Sequence, residues 1–222
     1  MNYLAHFAQD EHRLSPAFAV GGALPDLARL RGEGFRLRPG FEADTQVLTL
    51  LQAQVEAGIA RHYAIDAAWH NAPAFAQMQA RIRALLAEAG ITLLRPSFAA
   101  HIGAEMLLDR ALLQADPTLA DRFYASFTPD ALEAAYSLLP LKGQAVWATP
   151  LRAGIDKFLH RRFLADYAGG YLARTWPGIY THVTGDKQAQ ANPEAVWMEV
   201  VERGTLALSQ DSSLVTTIKQ VS

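Results

Sequence analysis

Residues 44–71 read DTQVLTLLQAQVEAGIARHYAIDAAWHN, and apolar side chains recur there at every fourth position. The repeat consists of Val47, Leu51, Val55, Ile59 and Tyr63. An α-helix has about 3.6 residues per turn, so side chains four positions apart lie on one face. The segment therefore predicts a long helix over 44–71 with one buried face.

Prolines indicate where further helices begin. Pro73, Pro96 and Pro129 each precede an apolar pattern with helical spacing, and proline suits the first turn of a helix because that turn leaves its N–H groups unpaired. Two more helices are predicted over 144–167 and 193–207. The sequence predicts an all-α fold, arranged as a single-domain multi-helix bundle.

Composition limits the class of protein. Half of the 222 residues are hydrophobic (50%) and 19% are charged, as in a packed globule. The formal net charge of −2 argues against bulk nucleic-acid binding. The sequence has no cysteine, which excludes disulfides and thiolate metal sites. No apolar run reaches the roughly 20 residues of a membrane span, and no signal-peptide pattern opens the chain, so a soluble cytoplasmic protein is expected.

Histidines and carboxylates recur at helical spacing. His62, Asp66 and His70 stand at i, i+4 and i+8, and His101 and Glu105 repeat the i, i+4 pair. Such spacing holds ligand atoms close together on a rigid helix. Imidazole with carboxylate and no thiolate suits a divalent metal such as Zn, Mn, Fe or Ni. An interhelical salt-bridge network is the alternative explanation.

Two further candidates precede these helices. Asp26 follows Pro25 after a pair of glycines that permits close helix approach, and His6 lies in an apolar segment. Each has an ordinary structural explanation: Asp26 can cap a helix and His6 can be a core histidine. Together they add two candidate ligands from separate elements.

The order of these motifs resembles the helical zinc-dependent phospholipase C and nuclease superfamily. The shared order is His, then Gly-x-x-x-Pro-Asp, then His-x-x-x-Asp-x-x-x-His, then His-x-x-x-Glu. The resemblance covers the chain up to Asp109 and implies a metal site, with Asp66 as a bridging carboxylate. The ligands that it implies are His6, Asp26, His62, Asp66, His70, His101 and Glu105.

A second resemblance is to the acyl-carrier-protein phosphodiesterases, which are helical and HD-like. It rests on the opening residues MNYLAH at 1–6 and on GIARHYAID at 58–66. It implies cleavage of the phosphopantetheine linkage of a carrier protein.

These interpretations predict a metal-dependent hydrolase of a phosphoric ester. The substrate is expected to be a phosphorylated small molecule or a carrier protein, with one or two divalent ions bound. Asp66 and His70 are the predicted catalytic residues. Either His70 or a carboxylate that does not bind the cation is expected to protonate the leaving oxygen. The alternative is a non-catalytic helical protein whose His and carboxylate stripes are structural or lie at a homodimer interface.

The domain prediction follows from the absence of a repeat or linker. One domain is expected over 1–222. It consists of a half that carries the metal site (1–115), a helical C-terminal half (116–208) and a tail (209–222) that either packs or is mobile.

Overall fold

The computed structural model describes residues 3–11, 15–29, 35–41 and 47–210. Residues 44–46 of the first predicted helix and the tail from 211 onward lie outside the described residues. The described ranges contain helices and no strand, so the prediction of an all-α fold is confirmed.

The α-helices are numbered in chain order. They are α1 (Tyr3–Asp10), α2 (Pro16–Arg29), α3 (Leu50–His70), α4 (Pro73–Glu88), α5 (Pro96–Ala115), α6 (Leu119–Ala125), α7 (Pro129–Leu141), α8 (Ala148–Arg161), α9 (Tyr171–Thr184), α10 (Gln188–Ala191) and α11 (Glu194–Gln210). Short 3-10 helices span Ala145–Trp147 and Phe163–Ala168.

Packing divides the chain into two compact units. The first unit comprises Met1–Ala5, Ala68–Pro117 and Leu164–Ser222, and the second comprises His6–Ala67 and Thr118–Phe163. Each unit takes residues from both predicted halves of the chain. One domain over 1–222, divided at 115 and 208, stays a prediction.

In the first unit, α5 packs against α4, α9 and α11. Trp176 is fully buried, and its indole N–H donates to the carbonyl of Ala99 on α5 at 3.1 Å. A Cβ atom at Gly103 would overlap that indole, so glycine makes room for it. This packing fixes the helix that carries His101 and Glu105.

In the second unit, α2 crosses α3 at very short range. A Cβ atom at Gly21 would overlap the carbonyl of Val55, and one at Gly58 would overlap the carbonyl of Phe18. The prediction that the glycine pair permits close helix approach is therefore confirmed at Gly21. The crossing sets the backbone of α2 against the face of α3 that carries His62.

The predicted long helix begins later than expected, at Leu50. Thr49 and Gln52 form a capping box: Thr49 Oγ1 accepts from the N–H of Gln52 at 3.2 Å, and Gln52 Oε1 accepts from the N–H of Thr49 at 2.9 Å. Val47 is 93% exposed and lies outside the helix. The prediction of helix at 47–49 was wrong because these caps start the helix at Leu50.

The predicted helix over 144–167 was also wrong in its extent. Its α-helical part, α8, ends at Arg161 because Arg162 takes a left-handed conformation (φ 44°) and donates its N–H to the carbonyl of Phe158. Among the described residues, none of the helices combines the length and apolarity that crossing a bilayer requires.

Candidate metal sites

The second unit contains a buried triad of His6, His62 and Asp66. Nε2 of His6 lies 3.0 Å from Oδ1 of Asp66, and Nε2 of His62 lies 3.5 Å from Oδ2. The two imidazole rings stack with centroids 4.3 Å apart. His62 is 1% exposed and His6 is 7% exposed, so water is largely excluded from the triad.

Two helices supply this triad. Asp66 and His62 lie one turn apart on α3, and His6 comes from α1. An ion pair between Arg61 Nε and Asp10 Oδ2, at 2.7 Å, joins the end of α1 to α3 next to His62. The triad is therefore held by backbone packing and by an ion pair between its own helices.

The carbonyl of Gly22, on α2, decides the tautomer of His62. A carbonyl can only accept, so the 2.9 Å bond to Nδ1 places a proton on that nitrogen. In the neutral ring Nε2 is then a lone pair, and it is buried without a hydrogen-bond partner next to the Asp66 carboxylate. Metal-binding histidines are oriented in the same way by a carbonyl that accepts from the other ring nitrogen.

Burial and pairing set the protonation states that a cation requires. Burial lowers the pKa of the His6 imidazole, although the hydrogen bond to Asp66 opposes the change. Burial alone would raise the pKa of Asp66, but the neighbouring imidazoles of His6 and His62 outweigh it and lower that pKa well below its usual range. A neutral imidazole beside an ionised carboxylate is the form in which both groups bind metal.

Asp26 belongs to neither triad. It is buried on α2 and forms an ion pair with Arg29 at 3.5 Å. Its negative charge raises the pKa of His6, against the lowering that burial causes. Asp26 therefore contributes charge to the buried triad.

The first unit contains a second, more open triad of His70, His101 and Glu105. Nε2 of His70 lies 3.2 Å from Oε1 of Glu105, and Nε2 of His101 lies 3.3 Å from the same oxygen. The histidine side chains are 31% and 34% exposed, whereas Glu105 is 9% exposed. Both imidazoles thus converge on a mostly buried carboxylate from the solvent side.

An aromatic ring supports the open triad. The ring of Phe75, on α4, lies 4.9 Å from that of His70 and 5.3 Å from that of His101. Burial would raise the pKa of Glu105, but neighbouring positive charge and hydrogen bonds from His101 and His70 lower it well below its usual range. The carboxylate is therefore ionised at neutral pH.

Each triad offers the donor set of a divalent metal site. In each one, two imidazole nitrogens and one carboxylate oxygen lie within 4.8 Å of one another. Catalytic zinc sites use three protein ligands of these types, and two histidines with one carboxylate also suit Fe(II). The orphaned Nε2 of His62 fits a cation at the buried triad especially well.

The structure thus gathers six of the seven predicted ligands into two groups of three. Sequence reasoning missed the groups that support them, namely the Gly22 carbonyl and the Phe75 ring. The glycine pair at 21–22 signalled a close helix crossing, but a carbonyl acceptor has no side-chain signature. Neither a protein-family model nor a curated protein nor a solved structure matches this chain.

Proposed function

We propose that this protein is a metal-dependent hydrolase of a phosphoric ester, with Zn, Mn, Fe or Ni as its divalent cation. The observation that carries the proposal is the buried lone pair of His62. Its Nε2 is buried without a hydrogen-bond partner and lies 3.5 Å from Oδ2 of the ionised Asp66 carboxylate. In the neutral ring Nε2 and Oδ2 are two buried acceptors, which either a bound cation or a second proton on His62 would join.

The proposal assigns cation binding and proton donation to different residues. His6, His62 and Asp66 would hold one cation, and His101 with Glu105 would hold another. A divalent cation supplies Lewis-acid chemistry, lowering the pKa of a water molecule and offsetting charge on phosphoryl oxygens. His70 is partly exposed and paired to Glu105, so its ring can hold a proton and donate it to a leaving oxygen.

The narrower proposal concerns the substrate. The likeness of residues 1–6 and 58–66 to the acyl-carrier-protein phosphodiesterases favours a phosphodiester, and within that class the phosphopantetheine linkage of a carrier protein. The partial exposure of His70 and His101 supports access by a substrate group at the end of a flexible arm.

Metal content and phosphodiester cleavage test the proposal together. Protein purified without chelator is analysed for bound metal and assayed on bis(p-nitrophenyl) phosphate and on a carrier protein that bears phosphopantetheine. We expect His62→Ala to lose cation affinity by at least about ten-fold, since one ligand of three is removed. Because His62 is buried, Asp66→Asn serves as a second variant that preserves side-chain size.

The matched control is His160→Ala, which removes an exposed histidine from the same unit. Circular dichroism verifies that every variant retains its helices. Unchanged metal content and activity in both His62→Ala and Asp66→Asn would rule out the buried triad as a metal site.

A second candidate is a non-catalytic helical protein whose triads are structural. Its support is that each carboxylate already accepts hydrogen bonds from histidine, Asp66 from His6 and Glu105 from His70. On this alternative, added Zn, Mn, Fe or Ni leaves the unfolding temperature unchanged, because nothing binds the native state preferentially.

A further inference from the structure

A short extended segment of the second unit presents two arginines on one side. Along residues 35–38 the exposure alternates: Phe35 and Leu37 are buried, whereas Arg36 and Arg38 are exposed. Successive side chains of an extended chain point to opposite faces, so the two guanidinium groups share a face. The ring of Trp147 stacks on Phe35 at 4.7 Å and anchors the buried side.

Lys142 holds the end of this segment. Its Nζ donates to the carbonyls of Arg38 at 2.9 Å and Gly40 at 2.6 Å, and it pairs with Glu56 at 2.7 Å. The ring of Phe41 lies against the same ammonium group. Because Glu56 balances the charge of Lys142, the net positive charge of the segment comes from the two arginines.

Two further side chains hold the middle of the segment. Tyr63 donates its hydroxyl to the carbonyl of Leu37 at 3.0 Å, and Gln144 donates its amide to the carbonyl of Arg36 at 2.9 Å. Four backbone carbonyls of an irregular segment are therefore fixed by side chains. The segment is ordered before any ligand arrives, which reduces the entropic cost of binding.

The segment and the residues that follow α7 line a solvent-open cavity of about 300 Å³. Its lining includes Arg36, Arg38, Phe41, Lys142 and Gln144, and no carboxylate belongs to the lining within the part of the chain that the structure describes. Oε1 of Gln144 is buried without a hydrogen-bond partner. The cavity thus combines positive charge with an aromatic wall.

We propose that this cavity binds a phosphate group, either as free phosphate or as the phosphate of a small organic ester. Guanidinium groups bind phosphate through paired, charge-assisted hydrogen bonds. The volume suits a ligand at the small end of those that protein pockets bind. None of the residues involved belongs to either triad, so the site is independent of the proposed hydrolase.

Calorimetric titration tests the cavity with three probes, namely inorganic phosphate, glycerol 3-phosphate and acetate. Chelator is present throughout, so that binding through a cation cannot contribute. We expect both phosphates to bind and acetate to bind much more weakly, because acetate has one charge and two acceptors. Arg38→Gln is expected to weaken phosphate binding by about ten-fold or more, as the loss of a charge-assisted hydrogen bond does.

The matched control is Arg161→Gln, an exposed arginine of the same unit that does not line the cavity. Tighter binding of glycerol 3-phosphate than of phosphate identifies an organic ester as the ligand, whereas equal binding identifies free phosphate. The proposal would be overturned if Arg38→Gln and Arg161→Gln bound phosphate equally well. It would also be overturned if the wild type bound no phosphate at concentrations up to about 10 mM. Absence of bound metal from protein purified without chelator, with phosphate binding intact in this titration, would overturn the hydrolase alone.

Discussion

Asp109 is a buried carboxylate on α5 whose hydrogen-bond partners are backbone groups of α1. It lies four residues after Glu105 on α5, yet it joins neither triad. Its two oxygens accept hydrogen bonds from the backbone N–H groups of Leu4 and Ala5, at 3.2 and 2.9 Å. The pKa of Asp109 is raised to about 8, because the effect of burial outweighs the two hydrogen bonds, which lower the pKa.

The raised pKa of Asp109 predicts a loss of stability with rising pH. The unfolded chain releases the proton of Asp109 near pH 4, whereas the folded chain keeps it until about pH 8. Over that window the folded state binds one more proton, so the free energy of unfolding falls by about 1.4 kcal/mol per pH unit from this group. We expect Asp109→Asn to lack this contribution, as urea unfolding between pH 5 and 8 will measure.

Asp121→Asn is the control for this measurement, since the side chain of Asp121 is 74% exposed. Its free energy of unfolding should follow the wild-type pH dependence. If the free energy of unfolding of Asp109→Asn also follows the wild-type pH dependence, Asp109 is ionised in the folded protein between pH 5 and 8. Burial then does not dominate its pKa.

At the scale of single residues, spacing along a helix predicted which groups are neighbours on that helix. The i, i+4 pairs His62–Asp66 and His101–Glu105 are both within 3.5 Å. Spacing could not predict partners that are backbone atoms of another helix, such as those of Asp109. A backbone N–H or carbonyl is present at almost every position, so the sequence does not mark the one that is used.

At the scale of elements, the crossing of α2 and α3 depends on Gly58. The carbonyl of Phe18 occupies the space of a Cβ atom there, and backbone cannot move aside as a side chain can. We expect Gly58→Ala to separate the helices, to break the bond between His62 and the Gly22 carbonyl, and to destabilise the protein by about 3 kcal/mol. Chemical denaturation and metal content measure the two effects.

Gly22→Ala provides the matched control. A Cβ atom at Gly22 would lie 4.0 Å from the carbonyl of Gly58, which is ordinary contact. Alanine has a higher helix propensity than glycine by about 1 kcal/mol, so this variant should be as stable as the wild type or more stable. Equal destabilisation by both variants would contradict the account of the crossing.

Proline positions predicted the starts of elements well, because proline restricts its own φ and needs no partner elsewhere. Helices α4, α5 and α7 begin at Pro73, Pro96 and Pro129, as expected. The end of α8 could not be predicted in this way. Arg162 adopts the left-handed conformation that glycine usually supplies, so no sequence signal marks that end.

At the scale of the whole molecule, the predicted ligands fall into two units, and each triad lies within one of them. The sequence predicted a set of candidate ligands but not their division between two groups, because periodicity relates positions within a helix and says nothing about which helices meet. His62 and His70 share one stripe of α3, yet each pairs with a carboxylate of its own triad.

This division predicts how cation binding stabilises the protein. If each triad holds its own cation, the chain binds two, and His62→Ala and His101→Ala each remove one. A cation at 100 times its dissociation constant stabilises the native state by about 2.7 kcal/mol. For a chain of this size that raises Tm by roughly 5–10 °C.

Metal stoichiometry and thermal unfolding of wild type, both single variants and the double variant measure these effects. Each single variant should keep about half of the bound metal and part of the shift in Tm, and the double variant should keep neither. Complete loss of metal from either single variant would contradict two independent cation sites.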